Sequence, residues 1–327
     1  MDQSLSVAKL ALGIVVLYWG AEWLIRGSAA VARAFGVKPL VVGLTVVAYG
    51  TSAPELAVST GTALSYHQPI ALGTVIGSCA ANISLILGIT ALISPPTIDG
   101  RIIRREVPVL VLSAIAVPIL FRNGILSRLE GALLVVCAIV FTIVTLTVSA
   151  RLEPDDDDDG GGRAEQSGAD LGGRARPRSS RLAAGVMTLL GLLVLVEGSD
   201  LFVDGARKLA AAAGMGERML GLTVIALGCA LPELIASVVA ASRGQAALAV
   251  GSVIGSNLLN VFLVLGVTAY LRPIELTQRM HVVDFVGLVA ITLLGVIMLR
   301  GSRKITRLDG AILVLAYVAF IASAAAL

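Results

Sequence analysis

A thirteen-residue phrase, GLTVVAYGTSAPE from Gly43 to Glu55, returns as GLTVIALGCALPE from Gly221 to Glu233, 178 positions further on. A longer phrase keeps the same offset, GTVIGSCAANISLILGITALI from Gly73 and GSVIGSNLLNVFLVLGVTAYL from Gly251. The offset also pairs Gly20 with Gly198, Gly27 with Gly205 and Gly36 with Gly214. One duplication accounts for all of these pairs. Both copies are built of apolar runs long enough to cross a bilayer, which takes about 20 residues. The runs lie near 5–25, 40–64, 70–93, 107–121 and 127–149, then near 183–206, 219–241, 246–271, 282–299 and 308–326. Each copy holds five spans, an odd number, so the second enters the membrane from the side opposite to the first. The halves are inverted repeats.

The expected fold is therefore an all-α integral membrane protein of ten transmembrane helices, in two inverted five-helix repeats at 1–150 and 183–327. Composition agrees: 57% of residues are hydrophobic, 14% are charged and mean hydropathy is +0.92, outside the range of a domain with a solvated surface. The first span carries Asp2 and a lone Lys9 in place of a basic leader, which predicts a retained helix and not a cleaved signal. Cys79, Cys137 and Cys229 all fall in apolar spans without CxxC spacing, so no disulfide framework or thiolate cluster is expected.

Between the repeats, 151–182 reads as a hydrophilic linker. It contains five consecutive aspartates, Asp155 to Asp159, three glycines and scattered arginines. The acidic run lacks the spaced ligands and turn glycine of a calcium-binding loop, so a solvated connector is the simpler reading. With the linker on the cytoplasmic side, 17 of the 25 basic residues fall on that side. The positive-inside tendency then predicts both termini outside, in a multi-pass protein of the cell membrane. The net charge of +3 thus reports topology and implies no nucleic-acid partner.

An ionised carboxylate inside a membrane helix is costly and marks function. Glu55 and Glu233 are two such groups, each directly after a proline. A lone membrane proline usually only kinks its helix, but a Pro-Glu pair repeated at one duplicated position points to a site. Pro54 and Pro232 lack an N–H and crowd the carbonyls at Gly50 and Gly228, which predicts free carbonyl oxygens in that turn. Broken helices at the interface of inverted repeats commonly hold the transported ion near the midplane. Two carboxylates match one divalent ion, and calcium takes 6 to 8 oxygens in flexible geometry. Thr51 and Ser52 precede Pro54, while Ser78 and Asn82, like Ser256 and Asn260, stand four apart on one helix face. Single polar residues of this kind mostly serve helix packing, and it is the matched Ser-xxx-Asn in both halves that favours a site. The GTVIGS and GSVIGS glycines lack the Lys-Ser/Thr of a phosphate loop, so nucleotide binding is disfavoured and close helix packing is expected. His67 and His281 are isolated and receive no role.

The doubled GTSxPE-like phrase followed by GSxxxN, in ten spans split by a hydrophilic loop, resembles the sodium/calcium exchanger family of the calcium:cation antiporters, in its prokaryotic form. The resemblance covers nearly the whole membrane portion. It implies a core of the second, third, seventh and eighth helices, past which long, tilted first and sixth helices slide. It also implies calcium-binding acids at Glu55 and Glu233 and carbonyl ligands at Thr51 and Cys229. Sodium groups fall on the carbonyls of Ala48 and Ala226 and the hydroxyls of Ser52, Ser78 and Ser256, with Asn82 and Asn260 beside them. The implied activity is exchange of calcium for sodium, with those ions and the bilayer as partners, no cofactor, no nucleotide and no obligate protein partner.

Two departures stand out. Cys229 and Ala230 replace the usual Thr-Ser in the second phrase, removing two hydroxyls, and Asn260 stands where some relatives carry an aspartate associated with protonation or potassium use. Potassium independence is expected, and the counter-ion stays open between sodium and protons. A softer divalent cation drawn by Cys229 is a further reading, against which a thiol simply replaces threonine. An intramembrane hydrolase using the two acids is remote, because no third catalytic group stands at a unique position.

Overall fold

In the computed structural model, the described residues are 2–35, 39–96, 100–151, 178–212, 214, 216–276, 282–301 and 304–325. Among them nine helices are long and apolar enough to cross a membrane. They are Ser4–Val31, Leu40–Leu64, Gln68–Ile93, Arg104–Asn123, Arg128–Thr147, Leu182–Phe202, Ala246–Leu271, Val282–Arg300 and Arg307–Ala325. A bent pair, Arg218–Cys229 and Leu231–Ser242, meets at 40° and completes ten spans. The chain is all-α, in two inverted sets of five. The fifth helix continues through Arg151 and the sixth begins at Arg178, so both ends of the expected linker are helical. The aspartate run and His281 lie outside the described residues.

The first and sixth helices, Asp2–Phe35 and Arg178–Ala212, are the longest, at 34 and 35 residues. At 1.5 Å per residue each spans about 50 Å, well beyond a hydrocarbon core of about 30 Å. They pack on one another along glycines spaced by seven, Gly13, Gly20 and Gly27 on one helix against Gly191, Gly198 and Gly205 on the other. A period of seven keeps the seam on one side of each helix. A Cβ on Gly20 would sit 2.7 Å from the backbone nitrogen of Leu195, so the backbones touch where side chains would normally intervene.

The third and eighth spans occupy the centre. Every residue from Pro69 to Ala80 and from Leu248 to Leu259 is buried, as expected for helices apolar on all faces. The fourth, fifth, ninth and tenth spans lie outside and present Leu112, Ile119, Leu133, Val140, Ile297 and Leu315 outward, a surface suited to lipid. Reciprocal caps start two of them: Ser127 and Glu130 exchange bonds of 2.7, 2.8 and 3.3 Å, and Thr306 and Asp309 do the same.

The two ends of the bundle are fastened differently. At the end that carries the linker, the Ile305 N–H donates to the Pro96 carbonyl (3.1 Å), and the buried Glu22 pairs with Arg26 (2.5 Å) and Arg243. At the far end, Ile125–Leu126 pairs antiparallel with Ile274–Glu275, and Arg272 lies over the Tyr66 ring at 3.5 Å. There the buried Arg218 guanidinium meets both carboxylate oxygens of Asp284 at 2.7 and 2.8 Å and donates to the Ala324 carbonyl at 3.0 Å. That fork joins the seventh, ninth and tenth spans.

Asp284→Asn leaves the Arg218 charge buried with one neutral partner, a loss of about 3–5 kcal/mol. Thermal unfolding in detergent is expected to show a clear drop in Tm, and the double variant Arg218→Leu/Asp284→Leu is expected to recover most of it, because the pair's desolvation disappears with its attraction.

Candidate cation site

The duplicated phrase folds in the same way in both copies. A π turn, Gly43–Val47 or Gly221–Ile225, leads into one α turn, Ala48–Thr51 or Ala226–Cys229. The helix then breaks at Ser52 (φ −80°, ψ 2°) or Ala230 (φ −80°, ψ −1°) and restarts with the proline in its first turn. The expected break is therefore present, but it precedes each proline by two residues. At that position the missing proline N–H falls where a helix start leaves N–H groups unpaired in any case. Glu55 and Glu233 sit in the first turn of the restarted helices, where the helix dipole favours negative charge. The Ala48 and Ala226 carbonyls accept the N–H groups of Ser52 (3.1 Å) and Ala230 (2.9 Å), and each keeps a second lone pair.

Two helix crossings bring the halves together, and glycine sets their depth. A Cβ on Gly255 of the eighth span would lie 2.8 Å from the Leu44 carbonyl and from Ala48 Cβ of the second. A Cβ on Gly77 of the third span would lie 2.6 Å from Ala226 Cβ of the seventh. Gly77 and Gly255 are 178 apart, as are Ala48 and Ala226, so the crossings are one contact made twice. The residues following the glycines, Ser78 and Ser256, are thereby delivered to the broken helices.

Around the acids two oxygen clusters form. In one, Thr51 Oγ1 stands 3.4 Å from Ser256 Oγ, and both hydroxyls lie beside Glu233. In the other, Ser78 lies beside Glu55 and donates to the Ala226 carbonyl at 3.3 Å. The two carboxylates are near enough to interact electrostatically. All these side chains are buried, as are Ser52, Asn82, Asn260 and Cys229. Among the described residues no group makes a hydrogen bond of good geometry to either oxygen of Glu55 or Glu233, the neighbouring hydroxyls being turned to other acceptors, and the amide atoms of Asn82 and Asn260 and Ser52 Oγ are likewise without partners. Each buried polar atom left so costs about 1–3 kcal/mol, more for a charge. An oxygen-rich pocket with two acids and no basic side chain beside them suits a hard cation.

The predicted residues therefore come together from four spans, with two qualifications. Asn82 and Asn260 begin or lie within π turns, Ala81–Ile86 and Asn260–Leu265, so they do not follow their serines on an unbroken α-helical face. Cys229, although at the position of Thr51, packs in an apolar cluster with Ile70, Leu220 and Ile225, within electrostatic range of both acids. No group of three or more His, Cys, Asp or Glu side chains that could hold a metal occurs among the described residues. Polar residues not anticipated from the motifs include Ser237, Ser252 and Asn257, each with an unbonded side-chain atom, on the seventh and eighth spans. The repeat carried a signal for the acids beyond the phrase as well, since the same offset pairs Glu22 with Asp200 and Glu106 with Asp284.

Comparison with known proteins agrees with this construction. A family model described as "Sodium/calcium exchanger protein" matches residues 5–147 and 183–325. The chain is 30% identical over 340 residues to the sodium/calcium exchanger MaX1 of Methanosarcina acetivorans, covering 95% of this chain and 96% of that protein. It is 32% identical over 286 residues to the inner membrane protein YrbG of Escherichia coli, covering 86% and 84%. Among solved structures, the sodium-calcium exchanger NCX_Mj, soaked with 2.5 mM sodium and 0.1 mM calcium, superposes with a TM-score of 0.79 at 32% identity, covering 98% of both chains.

The crossings make a direct prediction. Gly255→Val drives a side chain into the second span and is expected to lower stability by about 1–3 kcal/mol, read as a fall in Tm. Gly61→Ala, whose Cβ meets nothing within 4 Å, is expected to leave Tm unchanged or slightly raised.

Proposed function

The chain belongs to the sodium/calcium exchanger family, and from that premise we propose that it is a secondary antiporter exchanging calcium for sodium by alternating access, without potassium. Its family and structural neighbours are transporters and not enzymes. The observation that carries the reading is the pair of buried acids, Glu55 and Glu233, at matched helix breaks of inverted repeats, with four carboxylate oxygens that no described basic group neutralises.

In this reading the two acids bind calcium with the Thr51 and Cys229 carbonyls. The groups offered to sodium are the Ala48 and Ala226 carbonyls and the Ser52, Ser78 and Ser256 hydroxyls, with Asn82 and Asn260 as neutral neighbours. Both ion sets need the same two carboxylates, so they compete, and competition couples the fluxes. The repeats 1–150 and 183–327 act as the two halves of the transporter, joined by the connector 151–182.

Alternating access is supported by unequal closure of the two ends. Leu17, Ala21, Leu24 and Ile25 of the first span pack against Ala236, Val239 and Ala240 of the seventh toward the linker end. On the second span, Gly61 takes the repeat position of Val239 and has open space where a side chain would be. The excess of arginine and lysine toward the linker end supports a cytoplasmic linker, with both termini outside the cell membrane. The closed end is then the inner one, and the site is reached from outside.

Calcium uptake into liposomes under sodium, potassium and proton gradients, imposed in turn, tests the proposal. Sodium alone is expected to drive uptake; uptake under a pH gradient alone makes protons the counter-ion, and a need for potassium contradicts the reading. Glu55→Gln and Glu233→Gln each remove a ligand charge, and each is expected to reduce exchange by about a hundredfold or more, the equivalent of roughly 2.7 kcal/mol. Normal exchange by either variant removes these acids from the site.

A further inference from the structure

An inverted duplication constrains how many ions its site can hold. A position shared by Glu55 and Glu233 lies between the repeats and occurs once, whereas a position built from one acid and its flanking oxygens occurs twice. An intact site therefore offers one central and two flanking positions. In this chain the flanks are unequal. The one at Glu233 has two side-chain hydroxyls, Thr51 Oγ1 and Ser256 Oγ, 3.4 Å apart and both beside the carboxylate. The one at Glu55 has a single hydroxyl, Ser78 Oγ, which donates to the Ala226 carbonyl at 3.3 Å much as Thr51 Oγ1 donates to the Val47 carbonyl at 3.0 Å, so the flanks differ in the number of hydroxyls and not in their bonding. Where Thr51 supplies its oxygen, the second copy has Cys229, a soft sulfur that shares an apolar cluster with Ile70, Leu220 and Ile225. Where Ser52 supplies a hydroxyl with no partner, the second copy has Ala230. A small hard cation prefers oxygen, and a thiol in an apolar cluster does not replace it.

We propose that the flank formed by Glu55, Ser78, Ala226 and Cys229 holds no sodium, so that two sodium ions exchange for one calcium and transport is electroneutral. The inference rests on the exchanger reading above. Charge balances in both directions. Two carboxylates carry −2, and one calcium or two sodium ions bring the loaded site to zero in either case. The amides of Asn82 and Asn260 add oxygens without charge. Neither loaded form then feels the membrane potential as it crosses.

The test is the calcium gradient reached at steady state in proteoliposomes whose potential is clamped with potassium and valinomycin. At a two-for-one ratio the calcium gradient follows the square of the sodium gradient, so a tenfold sodium gradient holds calcium about a hundredfold from equality and the potential has no effect. At three-for-one the same gradient holds calcium about a thousandfold away, and each 100 mV changes that figure about fiftyfold, since one charge gains about 2.3 kcal/mol per 100 mV. Square dependence without response to potential supports the proposal; cubic dependence with the fiftyfold response overturns it. Cys229→Thr/Ala230→Ser restores both hydroxyls and is expected to move the exchanger to cubic, potential-dependent behaviour. If this variant exchanges normally and keeps the square law, the missing hydroxyls are not the cause and the proposal falls. An absence of sodium-driven uptake in the wild type overturns the exchanger reading itself, an outcome distinct from a changed ratio.

Discussion

Two carboxylates held inside an apolar bundle, with hydroxyls but no described basic side chain beside them, are the constraint around which the rest is arranged. Glu55 and Glu233 are fully buried, and no described group makes a hydrogen bond of good geometry to their oxygens. An isolated ionised carboxylate in such surroundings is unfavourable by several kcal/mol, so a chain that keeps two of them needs a cation in partial residence. The surrounding groups fit that demand, because around the acids the second, third, seventh and eighth spans offer hydroxyls, carbonyls and neutral amides, and the one basic side chain of these spans near the core, Arg218, is held at the far end by Asp284. The arginines that form buried or half-buried pairs, Arg218 and Arg243, stand at the ends of spans, where they join helices to one another and leave the acids without a fixed counter-charge.

Close backbone contact is what makes this pocket possible. Gly77 and Gly255 let the third and eighth spans cross the broken helices at distances no larger residue permits. The serine after each glycine is carried to the acid of its own repeat, Ser78 to Glu55 and Ser256 to Glu233. The glycine seam likewise brings the first and sixth helices backbone to backbone at the edge, with Leu17, Leu24 and Leu195 buried beside it.

Much of this could be read from the chain. Ten spans, their inversion, the helix breaks and the central acids all followed from contiguous phrases repeated at one offset, because duplication preserves register over the whole membrane portion. The exact break was not legible, since a proline marks its own missing N–H and not the residue whose ψ turns; that residue proved to be Ser52 or Ala230. The ion pairs were also hidden. Arg218 meets Asp284 across 66 positions and Glu22 meets Arg243 across 221, and neither pairing has a local signature. The apolar enclosure of Cys229 depended likewise on Ile70, from the other repeat, and no spacing rule would have put the two together.

The same duplication shows where the copies have diverged, and the differences fall into two physical classes. At the ends they concern charge. Asp284 has Arg218, but its counterpart Glu106 has Leu40 at the matching position and pairs instead with its neighbour Arg105 (2.8 Å). Glu22 has Arg26 and Arg243, whereas Asp200 finds Asp204 and Ser65 at the corresponding places. At the centre they concern oxygen, with Thr51 and Ser52 facing Cys229 and Ala230. In a perfectly symmetric inverted pair, the states open to either side would be equal in energy and every flanking ion position would occur twice. Unequal ion pairs at the ends remove the first equality, and unequal hydroxyls at the centre remove the second. Glu55 and Glu233 are unchanged between the copies, as are the serines Ser78 and Ser256 and the asparagines Asn82 and Asn260, so the divergence among these central oxygen donors is confined to the Thr51-Ser52 and Cys229-Ala230 positions.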